Sequence, residues 1–357
     1  MKQFIKSAVL FLVCSCSFAS QVTLNGEVEI NLMPHNQGLN QAMMAQSLSF
    51  KLPKYELSAN ALSYLKHEMP QALKHTVNAA VASPELPRKK LLGMQLTPVL
   101  NQGLHGSCVT FAVTGAINAT LGAGDYVSQL CNLELGSYLA SQGKVEASGW
   151  SGSFAPWVLQ QITDYGIISR NYQTLHGCAD VQSYPLNEET NEGKPMSDTD
   201  YLAHSIPITN LVSWHSLLKA EDAFSTNVNM DQMVSQIKQE LVNGNRLTVG
   251  ILLDVDTGNA GALGTNHVAN DTWMLTPQII ADAERGVIDA GHELIITGYD
   301  DDIEVTDSAG HVNKGVFTLR NSWSKLAGDK GDYYVTYDYV KYLAMEVTVL
   351  RLKAKPQ

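Results

Sequence analysis

The stretch "NQGLHGSCVTFAVTGAIN", Asn101 to Asn118, brings two glycines and a serine up against a cysteine and then turns periodic. Val109, Ala112, Val113, Ala116 and Ile117 recur at three- and four-residue steps, the spacing of one helical face, so Cys108 opens a helix. The first turn of a helix leaves N–H groups unpaired and carries the positive end of the dipole, and both favour an anion. A thiol held there is biased toward thiolate, its nucleophilic form. Against this stands the ordinary fate of a free cysteine, which packs as a small buried hydrophobe. On these residues alone both readings stay open.

At 357 residues the chain is long enough for two or three domains and a substantial core. It begins "MKQFIKSAVLFLVCSCSFAS", with Lys2 and Lys6 ahead of an apolar run from Ala8 to Phe18 and with Ser17 and Ala19 suited to cleavage after Ala19. Residues 1–19 therefore read as a secretory signal peptide, which places the mature chain outside the cytoplasm, extracellular or periplasmic. The run is too short to span a bilayer, and no later segment approaches the ~20 apolar residues a spanning helix needs. Losing Lys2 and Lys6 and no acid, the chain moves from a formal net charge of −11 to −13. That excess of negative charge argues against nucleic acid and membrane as partners. Cys14 and Cys16 leave with the leader, and Cys108, Cys131 and Cys178 remain for an oxidising compartment. The simplest partition of three thiols pairs Cys131 with Cys178 and leaves Cys108 free. No C-x-x-C spacing survives, so neither zinc nor another cofactor is expected.

Past the leader, residues 20–52 are polar and mixed, with "VTLNGEVEINL" (Val22 to Leu32) alternating as a strand does. Leu62, Leu65, Met69, Leu73, Val77 and Val81 then follow helical steps behind a capping Ser58, and Pro70 is expected to kink or divide that helix. "SPELPRKK" (Ser83 to Lys90) reads as an exposed linker within reach of proteases. Helical patterns dominate residues 108 to 168, including "APWVLQQITDYG" from Ala155, and "NEETNEGKPMSDTD" (Asn187 to Asp200) reads as an exposed loop. A further helix, "MDQMVSQIKQELVNGN", ends at Gly244. Strand-like runs follow: "RLTVGILLDV" from Arg246, "HELIITGYD" from His292, "GVFTLRNSW" from Gly315 and "DYYVTYDYV" from Asp332. A helix-rich part, about 100–210, and a strand-rich part, about 211–345, define an α+β chain of two facing subdomains with a cleft between them.

Catalysis by a cysteine needs a base, a group that fixes the base's tautomer, and donors for the developing oxyanion. Among ten histidines, His292 opens a β-branched strand directly after a glycine. Asn321 ends another such strand and offers an amide oxygen to an imidazole N–H, while Gln102, six residues before Cys108, offers a side-chain N–H₂ beside the N–H of Cys108.

These segments together resemble the papain-like cysteine peptidases. "TPVLNQGLHGSCVTFA" (Thr97 to Ala112) is similar to that family's T-P-V-x-N-Q-G-x-C-G-S-C-W-A-F, and "GHELIITGYD" to its G/N-H-A-V-x-V-V-G-Y-G. "LRNSWS" and "GDKGDYYVTY" resemble K-N-S-W-G and G-x-x-G-Y-F-R-I, and "SGWSGSFAPWVLQQITDYGI" (Ser148 to Ile167) resembles the family's glycine-rich loop and helix. Four motifs stand in the family's order across residues 97–340. The resemblance implies a thiolate at Cys108 paired with imidazolium at His292, Asn321 orienting that ring, Gln102 in the oxyanion hole and Trp323 shielding the His–Asn contact from water. It places Gly152 and Ser153 along the groove that pairs with an extended protein or peptide substrate, and it matches Cys131 and Cys178 to one of the family's disulfides. It also implies a papain-like fold of a helical left subdomain and an antiparallel, barrel-like right one.

The departures bear on groove shape. His105 stands where the family has a cysteine, Val109 where it has a tryptophan, and Ser153 where it has a glycine. Cys108 and His292 lie 184 residues apart, beyond the ~130 to 150 usual for this type. The surplus falls around residues 182–230 or near Asp254 to His267. Residues 20–93 then form a prosegment, a partner held in cis ahead of a catalytic domain over 94–357, although the family's E-x-x-x-R-x-x-x-F-x-x-N pattern is absent. The runs Asp300 to Asp307 and Asp254 to Asn259 lack the spacing of a calcium loop and read as solvated turns, and His105 reads as a loop histidine. A secreted endopeptidase made as a zymogen is the reading these residues favour. A thiol-dependent acyltransferase or deamidase, or a silent binding module, are the alternatives.

Overall fold

The computed structural model describes residues 20–34, 47–75, 86–187 and 193–353. The signal-like leader, the second half of the Ser58 to Ala82 helix, Ser83 and part of the Asn187 to Asp200 loop lie outside the described residues.

Strands β1 (Val22–Leu32) and β2 (Leu48–Leu57) pair antiparallel as a two-stranded ribbon. Helix α1 (Ala59–His75) follows at once, its first turn held by Ser58 Oγ, which accepts from the N–H of Ala61. It runs through Pro70 undivided, anchored by the buried Ala61, Leu65 and Met69. The basic run after it is no free linker. Lys89–Leu91 form a short strand, β3, on the outer part of a long central strand, and Lys89 pairs with Asp300 and Arg88 with Asp302. An acidic sheet edge has captured a basic segment.

The helical half holds α2 (Cys108–Leu121), α3 (Gln129–Ser141), α4 (Ala155–Tyr165), α5 (Arg170–His176) and α6 (Asp198–His204). Where the sequence suggests one apolar face, α2 is buried all round from Cys108 to Ala119 because it is the wall between two cores. Val113, Ala116 and Ile117 pack toward Ile295 and Leu350, and Phe111 packs toward α3. Polar residues of α2 bond within the fold: Thr114 Oγ1 donates to the Thr110 carbonyl, and Asn118 Oδ1 accepts from the N–H groups of Tyr126 and Val127, while Asn118 Nδ2 has no partner. A Cβ on Gly115 would lie 2.9 Å from Ile295 Cδ1, so this glycine sets how closely the helix approaches the sheet. Cys131 and Cys178 form a disulfide that ties α3 to the loop after α5.

The strand half comprises β4 (Val212–Leu218), α7 (Met230–Val242), β5 (Arg246–Leu253), β6 (Thr272–Trp273), α8 (Pro277–Arg285), β7 (Ala290–Thr306), β8 (Val312–Arg320), β9 (Asp332–Thr336), α9 (Tyr337–Leu343) and β10 (Ala344–Leu352). Its sheet runs β4-β10-β5-β7-β8-β9-β6, antiparallel except for the β9–β6 pair, with β2 and β3 against β7. Three sequence readings change here. Tyr337 to Val340 are helical, because Thr336 Oγ1 accepts from the Tyr339 N–H and caps a new helix. Asp300 to Asp307 is not a turn, since β7 continues to Thr306, zipped to Val312 through Lys314 of β8. Asp254, read as solvated, is buried. No helix among the described residues is long and apolar enough to cross a membrane.

Candidate active site

Ser107 stands where a helix cap is expected, yet its hydroxyl is bonded to Tyr184 Oη at 2.8 Å and caps nothing. The N–H groups of Cys108 and Val109 are thereby left to the Cys108 sulfur, and the N–H of Glu293 on β7 reaches it from the other side. These donors pull toward thiolate as the sequence suggests. Burial outweighs them: the thiol is fully enclosed, and its pKa is pushed up to about 12, with the charge of Glu293 adding to the rise. The expected thiolate bias is therefore reversed.

His292, Asn321 and Trp323 come together as the sequence suggests. The His292 Nε2–H donates to Asn321 Oδ1 at 2.7 Å, which leaves Nδ1 as the basic nitrogen, and Nδ1 has no hydrogen-bond partner. Trp323 lies flat against the imidazole, ring centroids 4.4 Å apart, and closes the pair off from water. Burial lowers the His292 pKa to about 4, against which the Asn321 bond acts only weakly. Thiol and imidazole are both neutral here.

Gln102 is fixed by five hydrogen bonds. Its backbone N–H donates to the Ser322 carbonyl, its Oε1 accepts from Ser322 Oγ at 2.8 Å, and Tyr184 Oη donates to its carbonyl at 2.8 Å. Its Nε2 donates to His105 O at 3.1 Å and, at 3.0 Å, to the carbonyl of Lys51 in the N-terminal ribbon. Sequence reasoning passed over Ser322 and Tyr184, the latter lying in a "QSYPL" run that carries no local signal. His105 is buried rather than on an open loop, its Nε2 bonded to Pro185 O and its ring packed on Trp150.

The ribbon fills the cleft. Phe50 stacks on Trp323 with ring centroids 5.7 Å apart, Tyr55 Oη donates to Ser153 O at 3.3 Å, and Glu27 Oε1 accepts from the Gly106 N–H at 2.9 Å. A Cβ on Gly152 would lie 2.6 Å from Leu24 and 2.9 Å from Pro53, so the ribbon packs directly on the stretch expected to line the groove. Among the described residues no group of three or more His, Cys, Asp or Glu side chains could hold a metal.

Next to this centre sit two buried acids, Glu293 and Glu346, both raised first by burial, Glu346 to about 7 and Glu293 well above its ordinary value. A folded-state carboxyl pKa above the unfolded one means the fold keeps a proton that the unfolded chain releases. That stabilisation is complete below pH ~4.5 and lost as pH rises through about 7. His292 works oppositely, weakening the fold as pH falls from 6.5 toward about 4. Above about pH 7, where His292 is neutral in both the folded and the unfolded chain, the acids set the slope, so the chain should lose stability between pH 7 and 8. Glu346→Gln, uncharged throughout, should gain on wild type across that window when thermal midpoints are compared; a constant gap would contradict the assignment.

No protein-family model matches the chain, and no curated protein matches it in sequence. Solved structures do. The chain is similar to xylellain, a cysteine protease from Xylella fastidiosa, at 20% identity over 76% of this chain and 88% of that one, TM-score 0.49. It is similar to procathepsin L 3 of the Tenebrio molitor larval midgut at 14% identity, 90% and 83% coverage, TM-score 0.47. With the clostridial cysteine protease Cwp84 after propeptide cleavage it shares 15% identity over 73% of this chain and 56% of that one, at a TM-score of 0.50. With a buried helix that opens on a cysteine, packed against an antiparallel sheet that carries the histidine and asparagine, the chain has the papain-like fold.

Proposed function

We propose that this chain is a secreted cysteine endopeptidase made as a zymogen, with residues 20–93 as its inhibitory N-terminal segment. The observation that carries the reading is the Lys51 carbonyl on Gln102 Nε2, a peptide oxygen of the chain itself on the donor suited to a substrate oxyanion. In the released enzyme Cys108 loses its proton to His292 Nδ1 and attacks the substrate carbonyl. The oxyanion is held by Gln102 and the Cys108 N–H, the imidazolium protonates the leaving amine, and water clears the acyl-enzyme. Asn321 keeps Nε2 protonated so that Nδ1 does this work. The anchoring of Arg88 and Lys89 supports cleavage before residue 88, so that the part that leaves ends there and the last residues of the segment, with β3, stay on the sheet. Cwp84 is described after loss of a propeptide, and the same relation is proposed here.

The test is product analysis after limited proteolysis between residues 76 and 94. New amino termini on a protein substrate are expected. Ammonia release without new termini would replace the reading with a deamidase.

A further inference from the structure

Three strands place a row of residues beside the thiol: Glu293 on β7 pairs with Gly250 on β5, and Gly250 pairs with Glu346 on β10. The glycine between the acids makes room for both, since a Cβ there would lie 2.6 Å from Glu293 Oε2 and 3.0 Å from Glu346 Cγ. Both side chains are 2% exposed. Glu346 Oε1 accepts the Ala155 N–H at 2.9 Å, and the two carboxyl groups bear on each other and on Thr248, but no cation or backbone donor meets Glu346 Oε2 or Glu293 Oε1. Neither acid forms an ion pair among the described residues. Two buried carboxyl groups with orphaned oxygens are costly unless something meets them.

Beside them now is Tyr55 of the N-terminal ribbon. The Tyr55 ring occupies the space a Cβ on Gly291 would need, two residues before Glu293 on the same face of β7, and it packs on Phe154 at 5.7 Å. Cys108, Glu346 and Glu293 all bear electrostatically on the Tyr55 hydroxyl, so the plug lies close to both nucleophile and acids. The phenol gives its proton to Ser153 O and leaves the orphaned oxygens unmet. When the ribbon leaves, its ring vacates a pocket of apolar walls, Phe154 and Met345, that ends on two acids beside the reacting thiol.

We infer that the pocket plugged by Tyr55 receives a basic side chain, Arg or Lys, of the peptide substrate, with Glu346 and Glu293 taking its charge. The substrate half of this inference rests on the peptidase reading; the pocket itself does not. An incoming cation favours the ionised acids, so the pair releases its retained protons to solvent as the ion pair forms.

A substitution cycle in the full chain tests the pocket without requiring catalysis. Tyr55→Arg and Tyr55→Leu are compared by thermal unfolding at pH 7, each in the wild-type and Glu346→Gln backgrounds. The expected result is a higher midpoint for Tyr55→Arg than for Tyr55→Leu in wild type, with the order reversed beside Gln. A midpoint for Tyr55→Arg below Tyr55→Leu in both backgrounds overturns the inference. Should the Tyr55 variants fail to fold, hydrolysis by the proteolytically released chain decides, using peptides that differ only in Arg against Leu near the scissile bond. A preference for Arg of about ten- to a hundred-fold, reduced at least ten-fold by Glu346→Gln, is expected; equal rates overturn it. Labelling of Cys108 by a thiol-directed epoxide, run alongside, reports on the peptidase reading separately.

Discussion

Cys108→Ala should lower peptide hydrolysis by the released enzyme at least about a thousand-fold, because its sulfur is the atom that forms the acyl-enzyme in the proposed mechanism. The fold should survive. The substitution removes one sulfur atom from a site that already excludes water, and alanine keeps the first residue of α2 a good helix former. A fluorogenic peptide assay beside a thermal melt separates the two effects. Turnover at the wild-type level in a folded variant would remove Cys108 from the chemistry.

The second large effect concerns closure. Burial pushes the Cys108 thiol up to about 12, so it is neutral at pH 7, and its sulfur is fully enclosed besides. Phe50→Ala strips the ring that stacks on Trp323, a loss of about 3 to 5 kcal/mol for a buried phenylalanine. Because the ring packs only while the ribbon is seated, most of that loss falls on the closed state. Each 1.4 kcal/mol is about ten-fold in the open population, so epoxide labelling of the full chain at Cys108 should rise about a hundred-fold or more. An unchanged rate in a folded Phe50→Ala variant would mean that the ribbon does not control access.

How much of this could be read from the sequence follows from the range of each interaction. Cys108, Gln102, His292 and Asn321 announce themselves locally, through glycines ahead of a helix, a histidine at a strand start and an asparagine at a strand end. Parity of the thiols points to Cys131 and Cys178. Long-range placement was not legible. Nothing in "LSFKLPKYEL" marks Lys51 as the residue whose carbonyl meets Gln102, and nothing in "QSYPL" marks Tyr184 as the brace between Ser107 and Gln102. The aromatic and β-branched composition of "DYYVTYDYV" hid the Thr336 cap, which redirects the chain into α9. The acids of Asp300 to Asp307 suggested solvent, but pairing with β8 on one side and salt bridges to Arg88 and Lys89 on the other make them a sheet edge. Glu293 and Glu346 are 53 residues apart and meet only because Gly250 lies between them in register.

The central claim is that the N-terminal ribbon covers a competent Cys108 and that its release exposes it. The most direct measurement is to treat the chain from residue 20 with an irreversible thiol-directed epoxide before and after limited proteolysis between residues 76 and 94, and to locate the adduct by mass spectrometry. Labelling at Cys108 is expected only after cleavage. Equal labelling before cleavage would make the ribbon a fixed structural part of the domain, and no labelling in either state would contradict the peptidase itself.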